Sequence, residues 1–446
     1  MPRAHRTSPA PIRQRPASRT PSKLGVVPNA EAEVIARGQA AAAGAASVAA
    51  ASGAVIDKAL RAMAGLLTER APAILAANAA DVAAGQEAGL GAGLLDRLRL
   101  DSGRIAEMAR QAGLLADAPF PAEETPLRDL PGGLRLAERR VPVGVIGANF
   151  ESRPNVTIDV ASQLLKSRNA GVLRTGGAAL RSAAALFDEV IAPAAEAAGL
   201  DPRAFQLVRS ADRAAASALV TQPGLIPMVI LRGSGETTRQ LAAAAARHGV
   251  KTLAHADGGG VLYLDRAADL SLAGQVITAS LDRLGVCNRL NLLLICADAW
   301  ADLLPAALAA LQARGVTAAL PPHQHPLGQE WALIDGQEAT VTVAPADGPA
   351  EAAVLANEHT SGLAAAIVTA DPEAARQFLA AYRGTGAFWN VSTRLLDGFK
   401  LRGVPETGIN VDHVPGPRGP VTFQDLCLRQ YVVRPAGLAP AGGCAG

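Results

Sequence analysis

From Glu31 onward the chain shows two kinds of hydrophobic pattern. The first stretch is Ala-rich, with apolar residues at helical spacing: Val55, Leu60, Met63, Leu66 and Leu67, then Ile74 and Leu75. Side chains three and four positions apart share one face of a helix, so this spacing predicts helices. Residues 127–140 alternate in strand fashion across Pro131-Gly132-Gly133, which predicts a hairpin. Beyond it come short apolar runs without polar alternation at 143–146, 170–173, 206–208 and 228–231, separated by helical segments. Such runs suit strands buried on both faces of a parallel sheet. A second alternating block follows: strands at 261–264, 292–295, 340–343 and 363–368, with helices at 270–284 and around 303–311. The chain then breaks at Pro and Gly and closes on a strand-like run at 428–433. The repeated strand–helix alternation predicts an α/β fold with a doubly wound, Rossmann-type sheet.

Composition narrows the function classes. At 446 residues, 49% hydrophobic and 18% charged, the chain has room for two or three packed domains and is not intrinsically disordered as a whole. Its 42 basic and 40 acidic residues leave a net charge of +2, so no overall field draws it to nucleic acid or an anionic membrane. Aromatics at 3% also argue against a base-stacking surface. No run approaches the ~18 strongly apolar residues of a spanning helix; the nearest, 39–56, is mostly Ala, Gly and Ser and reads as one helix with a small-residue face. Cys287, Cys296, Cys427 and Cys444 form no CxxC pair, and the histidines are scattered, so neither a disulfide framework nor a metal site is expected and a reducing cytoplasm fits. Residues 1–28 carry five Arg, one Lys and repeated Pro and Ser with no acid, and read as a disordered basic tail.

Three groups of residues can carry chemistry. Cys287, in Gly285-Val286-Cys287-Asn288, joins a helical stretch to a buried strand, where a thiolate can attack a carbonyl and nearby N–H groups can hold the oxyanion; taken alone, a small core cysteine is the plainer reading. Two glycine turns follow strands and open into helices: Arg174-Thr175-Gly176-Gly177 and Arg232-Gly233-Ser234-Gly235. Backbone N–H groups in such turns can approach phosphates, and the pair points to a dinucleotide, although neither is a G-x-G-x-x-G fingerprint. Glu151-Ser152-Arg153-Pro154-Asn155 follows a buried strand, so Arg153 can meet a carboxylate or phosphate there; an N-cap cluster for the next helix is the competing reading.

Five stretches occur in order: "VPVGVIGANFESRPNVTIDVASQLLKSRNAGVLRTGG", "HADGGGVLYLDRAADL" leading to "GVCN", "FWNVSTRLLDGF", "PETGIN" and the closing "YVVR". Together they resemble the gamma-glutamyl phosphate reductase (glutamate-5-semialdehyde dehydrogenase) family of the aldehyde dehydrogenase superfamily, over roughly residues 32–434. The resemblance implies Cys287 as nucleophile, with its own N–H and the Asn155 side chain as oxyanion donors. It implies NADPH-dependent reduction of an acyl phosphate, in proline biosynthesis. NADP(H) would lie on Arg174, Gly176 and Gly177 by the adenosine ribose and on Gly233, Ser234 and Gly235 by the diphosphate. Arg153, Ser392, Thr393 and Arg394 are the substrate candidates. The stretch His255-Ala256-Asp257-Gly258 lacks the glutamate that a hydrolytic aldehyde dehydrogenase uses to activate water, as suits a reductase. Two departures leave the substrate open to a paralogous aldehyde or acyl phosphate. Leu363-Ala364-Ala365 replaces the family's His-Thr-acid triplet, and Arg418 is displaced in 414–419.

The expected domains are a cofactor domain at 29–124 and 144–256 with 389–412, and a catalytic domain at 257–388. A β element from 125–143 and 413–435 would pair subunits into a homodimer or higher assembly, with a small molecule as the other partner.

Overall fold

The computed structural model describes residues 29–438 apart from Ser234, Ala256, Asp257, Asp335, His413, Val414, Pro415 and Pro417. The tail expected at 1–28, Cys444 and the cofactor candidate Ser234 therefore lie outside the described residues.

Four sheets organise the chain. The hairpin strands β1 (Glu124–Leu130) and β2 (Leu134–Pro142) are antiparallel. Next come β3 (Val145–Phe150), β4 (Ala170–Thr175), β5 (Phe205–Leu207), β6 (Met228–Arg232) and β7 (Lys251–His255), a five-stranded parallel sheet in the order β5-β4-β3-β6-β7. A six-stranded parallel sheet follows, built from β8 (Gly260–Leu264), β9 (Leu290–Cys296), β10 (Thr317–Ala319), β11 (Thr340–Ala346), β12 (Ala364–Val368) and β13 (Gly386–Trp389), ordered β10-β11-β9-β8-β12-β13. The strands β14 (Gly408–Asn410) and β15 (Gly419–Val421) make a small pair, and the last strand, β16 (Cys427–Pro435), lies along β2 to complete a three-stranded antiparallel sheet with β1.

The central strands are fully buried, as their unbroken apolar runs require: all of β3, β4, β8, β9 and β12 is covered. Order reverses between β3 and β6, so a crevice opens past their carboxyl ends. The N-terminal helices pack against this sheet through Val34, Ile56, Leu60, Met63 and Leu67.

Some elements depart from the sequence reading. The stretch 39–56 is two helices, Ala30–Ala49 and Gly53–Glu69, bent by 120°, because Ser52 accepts from the Val55 N–H and starts the second. The small face has a packing cause: a Cβ on Gly44 would lie 2.4 Å from the Ala204 nitrogen. The helix expected at 270–284 ends at Ala279, since Leu290 N–H takes the Ser280 carbonyl and Arg314 takes that of Leu281. The strands β7, β10, β13 and the β14–β15 pair were not anticipated; they are three to five residues long, and Lys251, Thr317 and the partly exposed β13 break the apolar run. The domain boundary expected at 388 falls inside β13, and 393–395 packs on the six-stranded sheet. Among the described residues no single helix is long and apolar enough to cross a membrane.

Candidate active site

The crossover from β7 to β8 carries the chain from the carboxyl edge of one parallel sheet to the amino edge of the other. Cys287 lies at that junction. Its carbonyl accepts from Gly259 N–H at 2.7 Å, and a Cβ on Gly258 would fall 2.7 Å from the Cys287 Cα, so only glycine lets the two loops meet. The loop is braced from behind: Asn288 Nδ2 donates to the Leu396 carbonyl at 2.8 Å and Thr393 Oγ1 donates to the Asn288 carbonyl at 2.9 Å. Arg394 bonds Asp282 Oδ1 at 2.6 Å and also Asn288 Oδ1, and Ser280 Oγ donates to Ser392 Oγ at 2.9 Å. The polar atoms of Ser392, Thr393 and Arg394, anticipated as substrate contacts, are thus engaged with the nucleophile's own loop.

On the far side of the crevice stands the segment after β3. Asn155 occupies the cap position of the helix Val156–Lys166, yet its side chain makes no capping bond. Instead its Nδ2 donates to Asp159 Oδ2 at 2.9 Å, one turn on, which fixes the amide's orientation and leaves its second N–H unspent. Burial pushes the Asp159 carboxyl up to about 6, against the opposing pull of Arg232, the Asn155 bond and Arg153.

Arg153 lies within electrostatic reach of Cys287, and Arg232, Arg97 and Arg283 crowd it; burial and these like charges lower its guanidinium to about 10, still cationic at neutral pH. Burial raises the Cys287 thiol, while Arg153, Arg232 and its own N–H favour the thiolate and Glu330 opposes it. Glu330 accepts from Gly258 N–H at 2.9 Å, so a carboxylate does stand beside the nucleophile, supplied by a distant part of the chain and not by 255–258. One wall is apolar: Leu363, Ala364, Leu396 and Ile409 form a buried cluster against which Cys287 packs. Leu363 and Ala364 of that departure therefore share a wall with the nucleophile, while Ala365 packs in a separate core cluster.

The cofactor candidates line the carboxyl edge of the five-stranded sheet. Arg174 is buried, with Nη1 on Asn149 Oδ1 at 3.0 Å and Nη2 on the Ala211 and Asp212 carbonyls at 3.2 and 3.0 Å. Its Nε, and the Oγ1 of Thr175 beside it, are buried without partners. Gly176 faces open space, while Gly177 lies against Ala211. Gly233 packs against Glu151, whose Cδ would lie 3.1 Å from an added Cβ, and Gly235 opens the helix Gly235–His248. Orphaned polar atoms at a glycine-lined strand end fit a dinucleotide.

Sequence reasoning missed Asp159, Arg97, Arg283 and Glu330, and read Arg232 only as part of the cofactor turn. Asp159 had a local signal, its four-residue spacing from Asn155, and so did Arg283, four residues before Cys287; Arg97 and Glu330 arrive from distant segments.

Comparison with known proteins decides the relationship. The aldehyde dehydrogenase family model matches residues 13–325. A gamma-glutamyl phosphate reductase of Clavibacter michiganensis subsp. michiganensis is 37% identical over 439 residues, covering 94% of this chain and 99% of the relative. The chain belongs to the gamma-glutamyl phosphate reductases of the aldehyde dehydrogenase family. The namesake of Moorella thermoacetica is 36% identical over 417 residues, covering 91% of this chain and 98% of its own. The crystal structure of the Thermotoga maritima gamma-glutamyl phosphate reductase superposes with a TM-score of 0.82 at 26% identity, over 92% of this chain and all of that one. Membership of the aldehyde dehydrogenase family brings a nicotinamide cofactor with it.

Proposed function

We propose that the protein reduces L-glutamyl 5-phosphate to L-glutamate 5-semialdehyde and phosphate with NADPH, in proline biosynthesis in the cytoplasm. The observation that carries this reading is Cys287, half-buried and flanked by cationic Arg153 and Arg232, facing a segment whose Asn155 amide is oriented by Asp159. A thiol raised by burial needs cations to ionise, and the same cations suit a substrate with a phosphate at one end and a carboxylate at the other.

Cys287 Sγ attacks the acyl carbon, the new C–S bond replaces the C–O bond to phosphate, and phosphate leaves. The Cys287 N–H and the spare Asn155 N–H hold the oxyanion that develops. A nicotinamide held at the five-stranded sheet would supply a hydride; with it on the thioester carbon, the C–S bond breaks, the aldehyde leaves and Cys287 returns to its thiolate. Ser392, Thr393 and Arg394 keep the Cys287–Asn288 loop in place. Gly176, Gly177, Gly233 and Gly235 would admit the cofactor. Arg213 favours its 2′-phosphate form: it is exposed, makes no ion pair among the described residues and lies close enough to Arg174, whose own Nη donors are spent within the fold, to repel it.

Glu330 beside Cys287 favours a second reading, an aldehyde dehydrogenase that hydrolyses its thioester. The two separate on phosphate. The assay is NADP+ reduction with L-glutamate 5-semialdehyde and with butyraldehyde, each with and without inorganic phosphate. Strict phosphate dependence with glutamate 5-semialdehyde preferred supports the reductase. Phosphate-independent turnover, or preference for butyraldehyde, refutes it.

The three-stranded sheet supports a homodimer or higher homo-oligomer. Its outer strands β1 and β16 offer unpaired edges, and Leu127, Leu428, Tyr431 and Val433 are exposed on it. Light scattering reads this directly; a monomer at micromolar concentration would exclude it.

A further inference from the structure

The helix Val156–Lys166 starts at the active site and ends, ~16 Å away at 1.5 Å per residue, beside a second cavity. This cavity has a volume of ≈ 60 Å³ and lies where the hairpin, the helix end and the C-terminal segment meet. At ~10–15 Å³ per water, it holds about four to six waters, or a small organic ion.

Three cations face it. Lys166 is only 1% exposed, bonds Asp57 at 2.8 Å and sits 3.8 Å above the Phe120 ring. Arg168, held by the Arg168 φ of +60°, places its guanidinium 5.3 Å from the same ring, with one nitrogen on Glu123 at 2.8 Å and its buried Nε without a partner. Arg140 reaches the Gln424 carbonyl at 3.1 Å and has no carboxylate in ion-pair range among the described residues. Glu123 is the one acid in the lining against Arg140, Lys166 and Arg168, and Asp57 offsets Lys166 from outside it. A helix end would ordinarily present carbonyls hostile to an anion. Here Gln163, Leu165 and Leu164 give theirs to the N–H groups of Ser167, Arg168 and Asn169. The remaining walls, Phe120, Phe423, Pro121 and Pro142, are apolar.

We propose that this cavity is a binding site for a short-chain carboxylate, separate from the reaction centre. Its head group takes the free donors of Arg140 beside the positive charge of Arg168, and its aliphatic stem lies against the two phenylalanines. A fully hydrated inorganic anion would leave the apolar walls unfilled, so a stem of two or three carbons fits better than phosphate or chloride.

Cys427 lines the same cavity and reports on it. In a Cys287→Ser background, iodoacetate and iodoacetamide are compared at Cys427 by peptide mass mapping. Sulfur displaces iodide from either reagent, a C–S bond replaces C–I, and the thiol proton passes to solvent. Burial raises the Cys427 thiol for both reagents alike, and dividing their rate ratio by the same ratio at free cysteine, where iodoacetate is intrinsically slower, leaves a normalised ratio that reads carboxylate recognition. The normalised ratio should exceed one and fall ~10-fold or more in Arg140→Gln, and sodium propionate, but not equal sodium chloride, should protect Cys427. Arg140→Gln alone should keep full turnover. A normalised ratio of one or less in the Cys287→Ser protein, or no protection by propionate, overturns the proposal; the protection experiment does not depend on the Arg140 variant folding.

Discussion

Replacing Asp159 by Asn should make the protein more stable above pH 7 and no more stable at pH 4. The folded state holds the Asp159 proton to about pH 6, against 3.8 for an unperturbed aspartate, chiefly because burial disfavours the carboxylate. A gap of about two pH units, at ~1.4 kcal/mol each, is a cost of ~3 kcal/mol for keeping the ionised group folded. The sign follows from the raised value: the cost is complete above pH 6 and vanishes as the pH falls through 6 towards 3.8, where both states carry the proton. Asparagine is isosteric, cannot ionise, and still offers an oxygen to the Asn155 amide across the 2.9 Å bond. With an unfolding entropy of ~2 cal/mol/K per residue over the described chain, ~3 kcal/mol is a rise of ~3–4 °C in Tm. Thermal unfolding of both proteins from pH 4 to 8 measures it. Equal Tm at pH 8, or an equal gap at every pH, would refute the assignment of a buried, ionised Asp159. Turnover should remain within ~3-fold of wild type if the residue acts as an acceptor, whereas Asp159→Ala should lower kcat more than KM by freeing the amide.

Other outcomes follow from the same geometry. Asn155→Ala should reduce kcat ~100–1000-fold with NADPH affinity unchanged, read by steady-state kinetics and titration. Arg153→Ala removes one of the two cations that favour the Cys287 thiolate, so the pH profile of its alkylation should move upward; an unmoved profile would separate the two residues. Gly258→Ala puts a Cβ 2.6 Å from the Cys287 carbonyl oxygen, a clash that should cost ~1–3 kcal/mol of stability and most of the turnover. Arg213→Ala should lower catalytic efficiency with NADPH more than with NADH, and an equal loss for both would count against a 2′-phosphate contact.

What could be read in the sequence was whatever is local. Unbroken apolar runs such as 228–231 and 292–295 mark strands covered on both faces, and Pro131-Gly132-Gly133 marks the hairpin turn. Cys287 stood out through its motif. The direction of side chains did not: Ser392, Thr393 and Arg394 turn towards Asn288 and Ser280 because the loop carrying Cys287 leaves its polar groups needing partners, and that demand is invisible in one dimension. Nor did the approach of Arg232 and Glu330 to the Cys287 sulfur, or of Arg97 to Arg153, show, since topology rather than spacing brings these distant segments together. Short edge strands such as Thr317–Ala319 carry too few apolar residues to register.

The central claim is that Cys287 forms the covalent bond on which the reaction turns. The direct measurement is phosphate-dependent NADP+ reduction with L-glutamate 5-semialdehyde by the wild type and by Cys287→Ala, with NADPH binding titrated in both. The account predicts that the variant binds NADPH as the wild type does and shows no phosphate-dependent turnover. Turnover by Cys287→Ala equal to that of the wild type would contradict it.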